Sequence, residues 1–540
     1  EVFSLIAACL AAAVAKIVII SFTWSVMPRS WYVLDTIYLM ILIGATRVSY
    51  RLIRLRRQNR TFPWSKRKKV MIIGGGEAGR SLITEIQNSK YLDQKVVCII
   101  DDDPYKIGRY IKGVKVVGNR NSIKKSVKKY NVQQIILTMP SANAAKIRPI
   151  VEICQDTNCE LMILPGVYQL VNGEVKASKL RPVNIDDLLG RDEVYVNLNE
   201  VMDYVSGRVI MVTGGGGSIG SELCRQIAKH SPKQLIIFDI YENNAYDIQQ
   251  ELLREQPKLD LVVLIGSVRD ENRINSIFEQ YRPEIIYHAA AHKHVPLMEG
   301  SPNEAIKNNV LGTYNMVRMA DKWNVKRFVQ ISTDKAVNPT NIMGASKRIC
   351  EMIIQTYNKE SNTEYVAVRF GNVLGSNGSV IPLFKKQIAE GGPVTVTHPE
   401  IIRYFMTIPE AVSLVLQAGA YAKGGEIFVL DMGEPVKILD LARNMIRLSG
   451  YKVDQDIKIE FTGLRPGEKL YEELLMDEEG MTDTPNKLIH IGHPIDVDEV
   501  KLAHALRVLE SAAQNETDDM RLIVESIVPT YHPKLNKSTQ

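Results

Sequence analysis

Apolar residues follow different rhythms along this chain. Residues 2–27 form an almost unbroken apolar run whose one charge is Lys16, and residues 31–46 form a shorter run that contains Asp35. The first is long enough to cross a bilayer as a helix, which takes about 20 residues. Pro28 and Arg29 interrupt the pattern, and Trp24, Trp31 and Tyr32 stand where an aromatic belt would lie. This pattern predicts a transmembrane helical hairpin over residues 1–50. Glu1 opens the chain inside the first run, so the reading expects a true N-terminus further upstream.

From Lys69 onward the rhythm changes to short, fully apolar runs separated by helix-length amphipathic stretches. Lys69-Val-Met-Ile-Ile-Gly74 reads as a buried strand that enters Gly74-x-Gly76-x-x-Gly79, and a second strand at residues 96–100 ends in Asp101-Asp-Asp103. Glycines for a tight turn at a helix N-terminus, followed by an acid for a ribose, make a dinucleotide fingerprint. No catalytic cluster accompanies it up to Leu164, so a scaffold and a nucleotide-binding domain are both open readings of residues 69–164. Residues 165–205, punctuated by Pro165-Gly166 and Arg181-Pro182, read as a connector.

The same rhythm restarts at residues 206–540. The strand Arg208-Val-Ile-Met-Val-Thr-Gly214 runs into Gly214-x-x-Gly217-x-x-Gly220 and a helix, and the next strand, residues 234–238, meets Asp239. Gly214, Gly217, Ser218, Ile219 and Gly220 are the candidate pyrophosphate cradle. Asp239 would accept hydrogen bonds from the adenosine ribose and repel a 2′-phosphate, which favours NAD over NADP. Further runs at residues 261–265, 285–290, 327–331, 365–370 and 427–429 keep the alternation going. The predicted fold is α/β, with two Rossmann-like, doubly wound parallel sheets in series, preceded by transmembrane helices.

Charge and composition modify this picture in three places. Ten Lys or Arg residues and no acid lie between Arg47 and Lys69, so residues 51–68 read as a basic juxtamembrane linker on the cytosolic side. With a net charge of +6, the rest of the chain is close to neutral, which argues against nucleic acid as a partner. The cysteines form no C-x-x-C pair, and His292 and His294 lack companion ligands, so no metal site is expected.

The chemistry gathers at the end of the strand at residues 327–331, where Ser332-Thr333-Asp334-Lys335 follows directly, then Asn341-Ile-Met343-Gly-Ala-Ser-Lys347. An acid and an amine at a strand's carboxyl end can move protons in both directions. The glycine fingerprint, the strand-end Thr-Asp-Lys and the helix lysine resemble the extended short-chain dehydrogenase/reductase superfamily, with Met343 where that group has its usual tyrosine. Tyr241-Glu-Asn-Asn244, Ala289-Ala-Ala-His-Lys-His-Val-Pro296, Asn309-Val-Leu-Gly-Thr313, Arg369-Phe-Gly-Asn372, His398-Pro399, Arg403-Tyr-Phe-Met406 and Leu464-Arg-Pro-Gly-Glu-Lys469 narrow the match. Together they resemble the large, membrane-bound UDP-N-acetylglucosamine 4,6-dehydratases of bacterial capsule, exopolysaccharide and glycan pathways. Ser267 departs from the family's usual aspartate near the adenine.

The resemblance implies NAD as cofactor, a UDP-sugar substrate, a homo-oligomer of two or more copies, and a multi-pass protein of the bacterial cell membrane with cytoplasmic catalytic domains. It implies that hydride leaves C4, water is lost across C5 and C6, and hydride returns to C6. Asp334 is then the acid for the C6 hydroxyl, and Lys335, as a neutral amine, takes the C5 proton. Thr333 bonds the C4 hydroxyl and Lys347 holds the nicotinamide ribose. Met343 occupies the catalytic tyrosine's place without a usable proton, which leaves Asp334 or a water to deprotonate the C4 hydroxyl. Asn372, Arg403, Arg465 and Glu468 match positions that hold the nucleotide. The competing readings are a UDP-hexose 4-epimerase, which needs no acid at C6, a membrane sugar-phosphate transferase, and a non-enzymatic membrane scaffold of polysaccharide assembly.

Overall fold

The computed structural model describes residues 28–58, 67–89, 93–142, 144–157, 159–164, 180–184, 187, 202–473, 480–492 and 497–532, together with the isolated residues 15, 18 and 19. The chain divides into two compact units.

The predicted membrane hairpin is corrected. Among the described residues no helix is long and apolar enough to cross a membrane. The second apolar run is part of one helix, α1 (Arg29–Gln58), which continues through Arg47, Arg51, Arg54, Arg56 and Arg57 instead of stopping at a membrane boundary. The physical reason lies in the run itself. Residues 31–46 fall short of the roughly 20 apolar residues a crossing takes, and Asp35 interrupts them. The multi-pass membrane placement is corrected with the hairpin. The first apolar run, residues 2–27, lies outside the described residues, as does most of the connector at 165–205.

The first sheet starts at β1 (Lys68–Ile73), whose last four residues are buried. Helix α2 (Glu77–Asn88) follows, then β2 (Gln94–Ile100), β3 (Tyr110–Ile111), β4 (Val114–Gly118), β5 (Gln134–Leu137), β6 (Glu160–Ile163) and β7 (Arg181–Pro182). Its order is β3-β4-β2-β1-β5-β6-β7, with β1 parallel to both β2 and β5. Asp101, just past β2, accepts hydrogen bonds from Gly75 N–H at 2.7 Å and Lys106 Nζ at 3.1 Å, so acid and glycine turn meet as the fingerprint requires.

The second sheet carries the chemistry. Its strands are β8 (Val209–Thr213), β9 (Gln234–Asp239), β10 (Leu261–Ile265), β11 (Ile285–His288), β12 (Arg327–Ile331), β13 (Glu364–Arg369), β14 (Ile427–Leu430), β15 (Met481–Asp483) and β16 (Ile489–Gly492). The order is β10-β9-β8-β11-β12-β13-β14-β16-β15. The pairings from β10 through β14 are parallel; β16 and β15 close the edge antiparallel. Successive residues of β8 feed opposite clusters: Val209 and Met211 join one core, Ile210 and Val212 the other. Both faces are therefore covered, as the unbroken apolar runs predict for a parallel sheet. The chain reverses its winding between β8 and β11, and the carboxyl ends there are where such sheets bind ligands.

Candidate active site

The glycine loop joins β8 to helix α3 (Ser218–Ala228), with Gly217 as the helix N-cap. A Cβ on Gly220 would collide with the Gly214 carbonyl oxygen, so the helix can approach the turn this closely only with glycine there. Asp239, ending β9, accepts from Gly216 N–H and Tyr241 N–H, both at 2.8 Å, and has no ion-pair partner among the described residues. Ser218, Ile219 and Gly220 form the first turn of α3, whose backbone N–H groups suit a pyrophosphate. This loop and the cation-free acid fit NAD.

Beneath the loop sits a residue absent from the sequence reading. His288, the last residue of β11, is fully buried, with Nδ1 2.6 Å from Thr213 Oγ1 and Nε2 3.1 Å from Thr313 Oγ1. Burial, aided by Lys347, pushes it down to about 3, so it is neutral. A polar residue closing the apolar run Ile285–Tyr287 is the one local signal for it.

The Thr-Asp-Lys turn is held from below and from the side. Ser332 N–H donates to the Val368 carbonyl at 2.8 Å and Asp334 N–H to the Phe370 carbonyl at 3.2 Å, which carries the turn beyond β12 along β13. Ser332 Oγ donates to Glu351 Oε1 at 2.7 Å. Glu351 lies on helix α4 (Ile342–Glu360) and takes both arms of Arg369 at 2.7 Å and Arg348 at 3.0 Å. Burial alone would raise this carboxyl; Arg369 and Arg348 outweigh it and hold it at about 2. A Cβ on Gly344, in the first turn of α4, would collide with the Lys335 carbonyl oxygen, so glycine lets the helix press against the turn.

Asp334 is 1% exposed. Its Oδ1 accepts from Thr333 Oγ1 at 2.8 Å and Lys335 Nζ at 2.9 Å, and its buried Oδ2 has no hydrogen-bond partner among the described residues. Lys335 Nζ also donates to Asn372 Oδ1 at 3.4 Å and stands 4.0 Å from Glu472 Oε1. Burial works to lower Lys335, but Asp334 and Glu472 outweigh it and raise it. These two carboxylates favour the ammonium form of Lys335, whereas the resemblance implies a neutral amine at the moment of proton abstraction. The physical reason is a second buried carboxylate. Glu472 lies just past the Leu464–Lys469 phrase and was not singled out; nothing local distinguishes it from its neighbour Glu473.

Lys347 is buried on α4, and burial lowers it against the upward pull of Cys350 and Glu351. Met343 lies one helical turn before it, 3% exposed, within the hydrophobic cluster that includes Ile342 and Ile306. This burial makes the methionine a packing residue. Met343→Ala should retain appreciable turnover per folded molecule while lowering stability by about 2–5 kcal/mol. Thermal melting and turnover measured on the same preparation check this; wild-type stability with abolished turnover would contradict it.

The remaining predicted residues divide. Arg403 is buried and spends its guanidinium on the carbonyls of Ile402, Leu470 and Lys469 at 2.7, 3.2 and 2.8 Å, with Glu468 at 3.6 Å and Glu472 at 3.7 Å. Arg465 is largely exposed and pairs with Glu468 at 3.1 Å, so its outer face is open to a ligand. Asn372 joins the Thr-Asp-Lys group through Lys335, and Glu472 links that group to Arg403.

A family model described as polysaccharide biosynthesis protein matches residues 210–494, and one described as CoA-binding domain matches residues 1–165. The chain is similar to the capsular polysaccharide biosynthesis protein CapD of Staphylococcus aureus, 47% identical over 484 residues that cover 89% of this chain and 80% of that one. It is also similar to a UDP-glucose 4-epimerase of Rickettsia bellii, 36% identical over 279 residues, 50% of this chain and 79% of that one. The X-ray structure of Pen from Bacillus thuringiensis aligns with a TM-score of 0.50 at 34% identity, covering 55% of this chain and 90% of that one.

Proposed function

The chain belongs to the polysaccharide biosynthesis protein family, and from that premise we propose that it is an NAD-dependent nucleotide-sugar 4,6-dehydratase. Its substrate is a UDP-N-acetylhexosamine, UDP-N-acetylglucosamine, and its product the UDP-4-keto-6-deoxy sugar for surface polysaccharide or glycan synthesis. The observation that carries the reading is Asp334, a buried strand-end carboxyl group with one oxygen engaged by Thr333 and Lys335 and the other without a partner. An acid so placed can give its proton to one substrate oxygen, and the departing C6 hydroxyl needs such a donor.

Gly214, Gly217, Ser218, Ile219, Gly220 and Asp239 would hold NAD, which would supply reversible hydride exchange with the sugar. Lys347 holds the nicotinamide ribose and, as a cation, helps polarise the C4 oxygen. Thr333 bonds the C4 hydroxyl and fixes the carboxyl of Asp334, which takes the C4 hydroxyl's proton as the ketone forms and gives it to the departing C6 hydroxyl. Lys335 removes the C5 proton, made acidic by the neighbouring ketone, and delivers one of its solvent-exchangeable ammonium protons back to C5. Asn372, Glu468 and Arg465 line the nucleotide side. Arg465 presents a fork that suits two phosphate oxygens, and Arg403 acts by holding the loop that carries it.

The likeness to an epimerase supports a second reading, 4-epimerisation of a UDP-hexose. That chemistry has no use for an acid at C6, so the unpartnered oxygen of Asp334 favours dehydration. Mass spectrometry of UDP-N-acetylglucosamine after incubation with the protein separates them. Dehydration removes the mass of one water; an unchanged mass with an inverted C4 would establish the epimerase instead.

A further inference from the structure

Lys335 rests between two carboxylates, yet the proposed chemistry needs it as an amine. Its ammonium donates to Asp334 at 2.9 Å, and Glu472 Oε1 lies 4.0 Å away on its other side. Asp334 is the group that takes the C4 hydroxyl's proton and later gives it to the C6 hydroxyl, so it cannot also absorb this one. Glu472 has no such second task. Its side chain is 5% exposed, it is set on the loop that Arg403 clamps, and it faces Lys335 and Asp334 from the strand-end turn, Arg403 from the short strand Ile402–Arg403, and Lys469 from its own loop. Burial, with the charge of Asp334 adding to it, pushes Glu472 upward, so it takes a proton more readily than an exposed glutamate.

We propose that Glu472 is the proton partner of Lys335, a positioning residue that accepts the ammonium proton so that the amine can take the C5 proton, and returns it when the cycle closes. The first transfer breaks one N–H bond on Lys335 and forms one O–H bond on Glu472, converting an ion pair into a neutral amine and a carboxylic acid. No net charge changes and no proton leaves the site. The proposal rests on the dehydratase reading.

The exchange has a pH signature. In the wild type the active pair has the same proton count as the resting pair, so turnover should be flat across neutral pH. In Glu472→Gln the amine forms only by losing a proton to solvent, so turnover should be depressed at neutral pH and rise with pH, about tenfold per unit. Glu472→Asp should restore part of the flat region. A variant profile parallel to the wild type at lower rates would mean a structural role and overturn the proposal.

A second arm needs no turnover. Competitive acetylation of Lys335 with acetic anhydride across pH, read by peptide mass spectrometry, follows the proton on its amine. Loss of the Glu472 carboxylate should move that titration down by about one unit or more; an unmoved midpoint would overturn the proposal. If the wild type formed no dehydrated sugar, the dehydratase reading would fail, and the acetylation arm would still decide whether Glu472 shares the proton of Lys335.

Discussion

Asp334→Asn should lower dehydration by about 10²–10⁴-fold, the usual contribution of one positioned proton donor, while the fold and cofactor binding persist. The substitution is close to isosteric, and the structure says why it should be tolerated. An amide oxygen at the Oδ1 position still accepts from Thr333 Oγ1 and Lys335 Nζ, and the amide nitrogen takes the place of Oδ2, which has no partner to lose. What disappears is the acid. The buried turn keeps its backbone bonds to Val368 and Phe370, so a collapse of the site is not expected. Turnover and bound cofactor measured together check this. Near-wild-type dehydration by the asparagine variant would remove Asp334 from the mechanism.

Gly344→Ala is expected to be nearly as damaging, through geometry alone. The added methyl group would collide with the Lys335 backbone oxygen, which cannot swing aside as a flexible side chain could. Either α4 or the Thr-Asp-Lys turn must move. Misplacing reacting groups by about 1 Å can cost about 10²-fold, and a loss of that order is expected with cofactor binding preserved, since the glycine loop lies on a different turn. Gly300→Ala is the control, because its new methyl group would meet nothing closer than 3.5 Å. Equal activity of the two variants would show that the tight approach of α4 to Lys335 does not matter.

Much of this was legible from the chain. Buried parallel strands write themselves as short apolar runs, so Val209–Thr213, Gln234–Asp239 and Arg327–Ile331 could be placed to within a residue or so. Glycine loops followed by an acid at the next strand end are local patterns, and residues 214–239 form the turn, helix and strand that the pattern describes. Met481–Asp483 did not, because an exposed edge strand has no apolar face to display. Glu472 and His288 were missed for another reason: each gains its meaning from partners distant in sequence, Lys335 and Arg403 for one, Thr213 and Thr313 for the other. At the N-terminus the pattern misleads because helix α1 runs across the change from apolar to basic residues. Between a longer apolar run and a basic stretch, residues 31–46 look like the second arm of a hairpin, whereas α1 joins them to the arginines as one helix.

The central claim is that this site removes water from the sugar and not merely epimerises it. The most direct test is to incubate the purified protein with UDP-N-acetylglucosamine in deuterated water and record the proton and carbon NMR spectra of the product. The account predicts a 4-keto-6-deoxy sugar, with a methyl group at C6 and deuterium at C5 delivered through Lys335. A product that keeps its C6 hydroxyl and its C5 proton, with only the configuration at C4 inverted, would contradict it.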